Sequence, residues 1–178
     1  MSITIAYDAM HINVGELPKG AQTAGYVTGS GEVMWTAADW AAHPDAVRID
    51  QSPLDTEPDE TADVLDVENG AATLADIAPW AQAALRNYRS GARPGQRSPL
   101  VYCDGSSVTP VANALTAGKV TGVGLFIAKW SDTLTQALEE VVTASGPFPV
   151  SGIQFASPGP YDIDVFSSSW LAARSARH

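Results

Sequence analysis

Ala62-Asp63-Val64-Leu65-Asp66-Val67-Glu68 is a short apolar run that closes on two acids. Its length and its valine and leucine content predict a strand. Side chains alternate along a strand, so Asp66 and Glu68 share a face, roughly 6–7 Å apart along the backbone. Upstream lies the proline-rich acidic loop QSPLDTEPDET over 51–61. Proline and acidic turn residues of this kind interrupt regular structure.

Outward from this strand the same pattern repeats. Ile3 to Tyr7 is apolar and β-prone and ends at Asp8, and Ala46 to Asp50 ends at an acid again. Ala24–Thr28, Leu100–Cys103, Gly122–Ala128, Val150–Ala156 and Tyr161–Phe166 complete eight strand candidates. Helices are expected between them. Thr36–His43 opens on a capping threonine. Thr73–Tyr88 carries Thr73 as N-cap, Asp76 at the capping-box position and an apolar stripe through Ile77, Trp80, Ala81, Ala84, Leu85 and Tyr88. Ser107–Ala117 and Thr133–Ala144 are two more. This alternation predicts an α/β fold dominated by parallel strands: an irregular, TIM-like (β/α) barrel or, failing closure, a doubly wound sheet. One domain is expected over 1–178, with a short flexible tail from about residue 171.

Composition narrows the function. The chain has 178 residues, 45% of them hydrophobic and 17% charged, enough for one core and unlike a disordered chain. A formal net charge of −10 with no basic cluster disfavours nucleic acid as a partner. The single cysteine, Cys103, excludes an internal disulfide and reads as a buried structural thiol. His11, His43 and His178 lie far apart without metal-ligand spacing. No cofactor or metal is expected. No signal peptide and no membrane-inserting run is apparent, which points to carriage on a virion or injection device, or to another non-classical route.

The acids carry the chemical information. Asp8, Asp50, Asp66 and Glu68 each close a strand candidate, and Asp162 and Asp164 flank Ile163 in the last one. Parallel strands would gather several of them at one barrel mouth. Crowded carboxyls raise one another's proton affinity, so one can stay protonated and act as a general acid beside an ionised neighbour. A lone strand-end aspartate can equally be a helix cap or a loop ligand, and clustered oxygens can hold a divalent metal.

Four segments in order resemble glycoside hydrolase family 25, the lysozyme (N-acetylmuramidase) family of phages and bacteria. Ile5-Ala6-Tyr7-Asp8 is similar to its first strand. Ala62 to Glu68 resembles its Asp-x-Glu strand, and Leu125-Phe126-Ile127-Ala128-Lys129-Trp130 a later strand ending in an aromatic. Gly152-Ile153-Gln154-Phe155 with Tyr161-Asp162-Ile163-Asp164-Val165-Phe166 resembles its closing segment. The resemblance implies a compact member of actinobacterial or actinophage type that cleaves β-1,4 bonds of peptidoglycan. It implies catalytic roles for Glu68 as the acid, Asp66 as its partner, and Asp8 and Asp162. It implies sugar contacts from Tyr102, Trp130 and Gln154, with Asp164 standing where the family usually has asparagine; Asp50, another strand-end acid, joins the candidate substrate contacts. The segment between the third and fourth strands is shorter than the family's, and Asp8 is followed by Ala9-Met10-His11 rather than Val-Ser. Two other readings compete: a catalytically silent glycan-binding or structural module of a virion or secretion device, and an unrelated metal-dependent hydrolase.

Overall fold

The structure is a computed structural model that describes residues 2–51, 59–130, 133–144 and 146–172, without the side chains of 140–144. Residues 52–58 of the proline-rich loop and the tail residues 173–178 lie outside it. The strands are β1 (Ile3–Asp8), β2 (Gln22–Tyr26), β3 (Val47–Asp50), β4 (Val64–Asp66), β5 (Leu100–Asp104), β6 (Gly124–Ala128), β7 (Val150–Ala156) and β8 (Asp162–Ser167). They close into an eight-stranded barrel in sequence order. The helices are α1 (Ala37–Ala42), α2 (Ile77–Ser90), α3 (Val108–Ala117), α4 (Leu134–Ala144) and α5 (Ser168–Ala172), and a 3-10 turn spans His11–Glu16.

The strands from β1 to β7 pair in parallel. The last departs from the expected (β/α) repeat: β8 runs antiparallel to both β7 and β1. Loop length is the reason. Only 157–161 separate β7 from β8, whereas a parallel return needs a crossover of about a dozen residues. The barrel is therefore mixed. Its carboxyl rim is made by the ends of β1 to β7 and the beginning of β8.

Alternation divides the core in two. Inward-facing Ala6, Ala24, Val47, Val64, Leu100 and Phe126 fill the barrel, while Leu65, Val101, Leu125 and Ile127 point outward under α2 and α3. Strands buried on both faces read as continuous apolar runs, which is why Gly124–Ala128 lacks polar residues. Phe126, Phe166 and Trp170 stack through the barrel toward its amino end, with ring centroids 4.9 and 5.0 Å apart. Gly152 makes room for them: a Cβ there would lie 2.6 Å from the Phe166 ring and 2.9 Å from Phe126. α5 closes the amino end. Trp170 donates to the Ser98 carbonyl at 2.8 Å, and its ring lies against the Arg97 guanidinium. Leu171 and Ala172 thus end a helix, where a flexible tail was expected.

Two helix boundaries show the local chemistry. α1 begins with a complete capping box between Thr36 and Asp39. α2 begins at Ile77 rather than Thr73: the Asp76 carboxylate accepts from both the Thr73 amide and hydroxyl at 2.8 and 2.7 Å, making a tight turn ahead of the helix. Gly91, at φ +69°, ends α2 in the left-handed region. Cys103 is buried on β5, and its thiol is pushed up to about 12 by burial and the nearby Asp104, as suits an inert structural group.

Candidate active site

A cavity of about 250 Å³ opens at the carboxyl rim. Its walls include the carboxyls of Asp8, Asp66, Glu68 and Asp162 and the aromatic rings of Tyr26, Tyr102, Phe126 and Trp130. Strand pairing explains the gathering. Asp8 ends β1 and stands opposite Asp162, the first residue of the reversed β8. Asp66 ends β4 and pairs with Tyr102 on β5, which pairs in turn with Phe126 on β6. Glu68 lies two residues past β4 and is exposed at the mouth.

Gln154 on β7 ties the acids together. Its amide nitrogen donates to Asp8 Oδ2 at 3.2 Å and to Asp162 Oδ2 at 3.1 Å. Its oxygen accepts from the Tyr102 hydroxyl at 2.7 Å. Both N–H groups of the buried amide are thereby used, and it holds two carboxyls at one spot. On the other side, Gln51 donates to Asp66 Oδ2 at 3.3 Å, while the buried Asp66 Oδ1 has no hydrogen-bond partner.

Burial and mutual repulsion set the protonation pattern. Among the described lining residues none is basic, so nothing offsets the cost of removing these charges from water. Burial, reinforced by the charge of Asp162, lifts Asp8 from 3.8 to about 7, against the pull of hydrogen bonds from Asp164, Gln154 and Tyr26. Burial and then Glu68 hold Asp66 well above the usual carboxylate range. Glu68 is raised by partial burial and by Asp162 and Asp104. Burial likewise keeps the Tyr26 and Tyr102 hydroxyls protonated.

Two expected substrate contacts sit elsewhere. Asp50 is fully buried outside the cavity lining. It accepts from the Thr28 hydroxyl at 2.7 Å and from the Trp80 indole at 3.1 Å, so it anchors the end of β3 to α2. Asp164 is also fully buried and does not line the cavity. It faces inward one step below Asp162, and apart from a proton shared in a hydrogen bond with Asp8 its two oxygens have no hydrogen-bond partner. Burial, then Asp8 and Asp162, hold it well above the carboxylate range, so it donates that bond as a neutral acid. Both residues support the site from behind.

Tyr26, Phe126 and Gln51 belong to the site although sequence reasoning did not single them out. Tyr26 ends β2, but the strand was expected over Ala24–Thr28, so the strand-end rule that selected Asp8 and Asp66 would have pointed to Thr28 instead. Among the described residues, no group of three His, Cys, Asp or Glu side chains is placed to hold a metal ion. No described helix is long and apolar enough to cross a membrane.

No family model matches the chain, and no curated protein matches it. A 1.07 Å crystal structure of an uncharacterized B. stearothermophilus protein aligns over 96% of this chain and 99% of that one. The identity is 11% and the TM-score 0.46, a likeness too slight to bear on function.

Proposed function

We propose that this chain is a glycoside hydrolase of the muramidase type, built on a trimmed (β/α)-barrel plan like that of glycoside hydrolase family 25 and cleaving β-1,4 bonds of peptidoglycan. One observation carries the reading: Asp8, Asp66, Glu68 and Asp162, distant in sequence, line a single cavity whose other walls are aromatic. Glu68 is the general acid. It stands at the mouth, where a glycosidic oxygen can reach it, and its proton affinity is raised by partial burial and by neighbouring negative charge. Asp66, below it, orients the sugar. Asp162, fixed beside Asp8 by Gln154, stabilises positive charge developing on the ring. Trp130, 58% exposed, and Tyr102 offer faces for stacking sugar rings.

Glu68→Gln is the test. It removes the acid and keeps the shape, so lysis of purified cell walls should fall by roughly 10²–10⁴-fold with an unchanged melting curve. Undiminished lysis removes Glu68 from the mechanism. Retention of wall glycan by the wild-type protein, with no turnover at high protein concentration, would instead assign a silent binding module of a virion or secretion device.

A further inference from the structure

The cavity is unusual in what it lacks. Four carboxyls line it, a fifth, Asp164, lies against Asp8, and no described lining residue is basic. The hydrogen bonds that reach these acids come from neutral groups: Gln51, Gln154, Tyr26 and Asp164 itself. Asp66, only 2% exposed, leaves Oδ1 without a partner. Carboxyls in a structural network would be expected to be paired, as Asp63 is with Arg93 and Arg97 at the other end of the barrel. The acids are also spread along the walls, and no three of them are placed to share a metal ion. Aromatic rings line the cavity between them, and ring faces attract cations.

From this geometry we infer that the cavity selects a sugar bearing a free, protonated amino group, that is, de-N-acetylated glucosamine units of the glycan rather than N-acetylated ones. The inference rests on the glycan reading above and narrows its substrate. An ammonium group supplies the missing positive charge and several N–H donors to the carboxyls, the unpartnered Asp66 Oδ1 among them. An acetamide supplies one N–H and no charge. Binding as an ammonium favours the ionised carboxyls, so protons that the free site holds near neutral pH pass to the amine or to solvent.

Calorimetry with a short β-1,4-linked glucosamine oligomer and its fully N-acetylated counterpart separates the outcomes. At pH 7 the amine should bind about tenfold or more tightly, the difference between a charged and a neutral hydrogen bond. Affinity for the amine should fall as the pH is lowered to 5, where the carboxyls take up protons, while affinity for the N-acetylated oligomer should not. Asp66→Asn, close in shape, should narrow the preference. Equal or tighter binding of the N-acetylated oligomer overturns the inference and leaves the hydrolase reading standing. Binding of neither oligomer also overturns it, and the wall-lysis assay then decides the hydrolase reading separately.

Discussion

Replacing Asp8 by asparagine removes a carboxyl that the fold holds at a cost. Asp8 is 3% exposed, and its carboxyl is raised from 3.8 to about 7 by burial and Asp162. An acid raised in the folded state binds its proton more tightly there than in the unfolded chain. Its contribution to stability is fully present below pH 3.8 and is lost as pH rises toward 7. At about 1.4 kcal/mol per pH unit, the loss approaches about 4 kcal/mol once Asp8 is ionised. Asparagine carries no such penalty. Its oxygen can still accept from Gln154, although recasting the bond to Asp164 costs about 1 kcal/mol. Asp8→Asn should therefore stabilise the protein by about 2–3 kcal/mol at pH 8 and by little at pH 4. Urea melts of both proteins from pH 4 to 8 measure this directly. The wild type should lose stability across pH 4–7 more steeply than the variant. A gap that stays constant with pH, or a variant weaker at pH 8, would show that Asp8 is not held protonated by its surroundings.

Other perturbations test the frame around the site. Asp63 is fully buried and accepts from the amides of Arg48 and Arg97 and from the guanidinium groups of Arg93 and Arg97, at 2.6–3.1 Å. Asp63→Ala strands buried Arg97 and should cost about 3–5 kcal/mol in a urea melt; a loss of only about 0.5 kcal/mol, typical of surface changes, would refute the pairing. Gly152→Ala forces a methyl against Phe166 and Phe126 and should cost about 1–3 kcal/mol by calorimetric melting. Asp164→Asn replaces a neutral donor with a neutral donor, so stability at pH 7 should change by less than about 1 kcal/mol or rise, whereas Asp164→Ala should lower it; equal destabilisation by both would mean that Asp164 is ionised.

Much of the barrel was legible because parallel strands buried on both faces read as apolar runs. Leu100–Cys103 and Gly122–Ala128 fall on β5 and β6 within two residues. The acids at Asp8 and Asp66 were legible because a strand-end acid interrupts such a run. What sequence periodicity could not reveal was which acid faces the cavity. Asp50 obeys the same local rule as Asp66, yet Thr28 and Trp80, from other elements, claim both its oxygens. The ion network of Asp63, Arg93 and Arg97 was hidden for the same reason: its members belong to the end of a loop and a turn-rich stretch that carry no periodic signal. α5 was invisible because five residues are too few to show a helical stripe.

The reversal of β8 matters most for the chemistry. Had it run parallel, Asp162 would open the strand at the amino end of the barrel, some 20 Å from Asp8 at the usual rise per residue. Running antiparallel, it meets Asp8 as a direct cross-strand neighbour, and Asp164 falls beside Ala6, just beneath. Like charges placed opposite each other on neighbouring strands destabilise a sheet. Here that cost is moderated by one amide, Gln154, which donates to both Asp8 and Asp162, and by the proton on Asp164. The short loop over 157–161 is thus the feature that converts scattered strand-end acids into a proton-sharing cluster. Lengthening it should leave the other strand pairings intact while loosening the β8 register, and the first function lost should be the elevated proton affinity of Asp8.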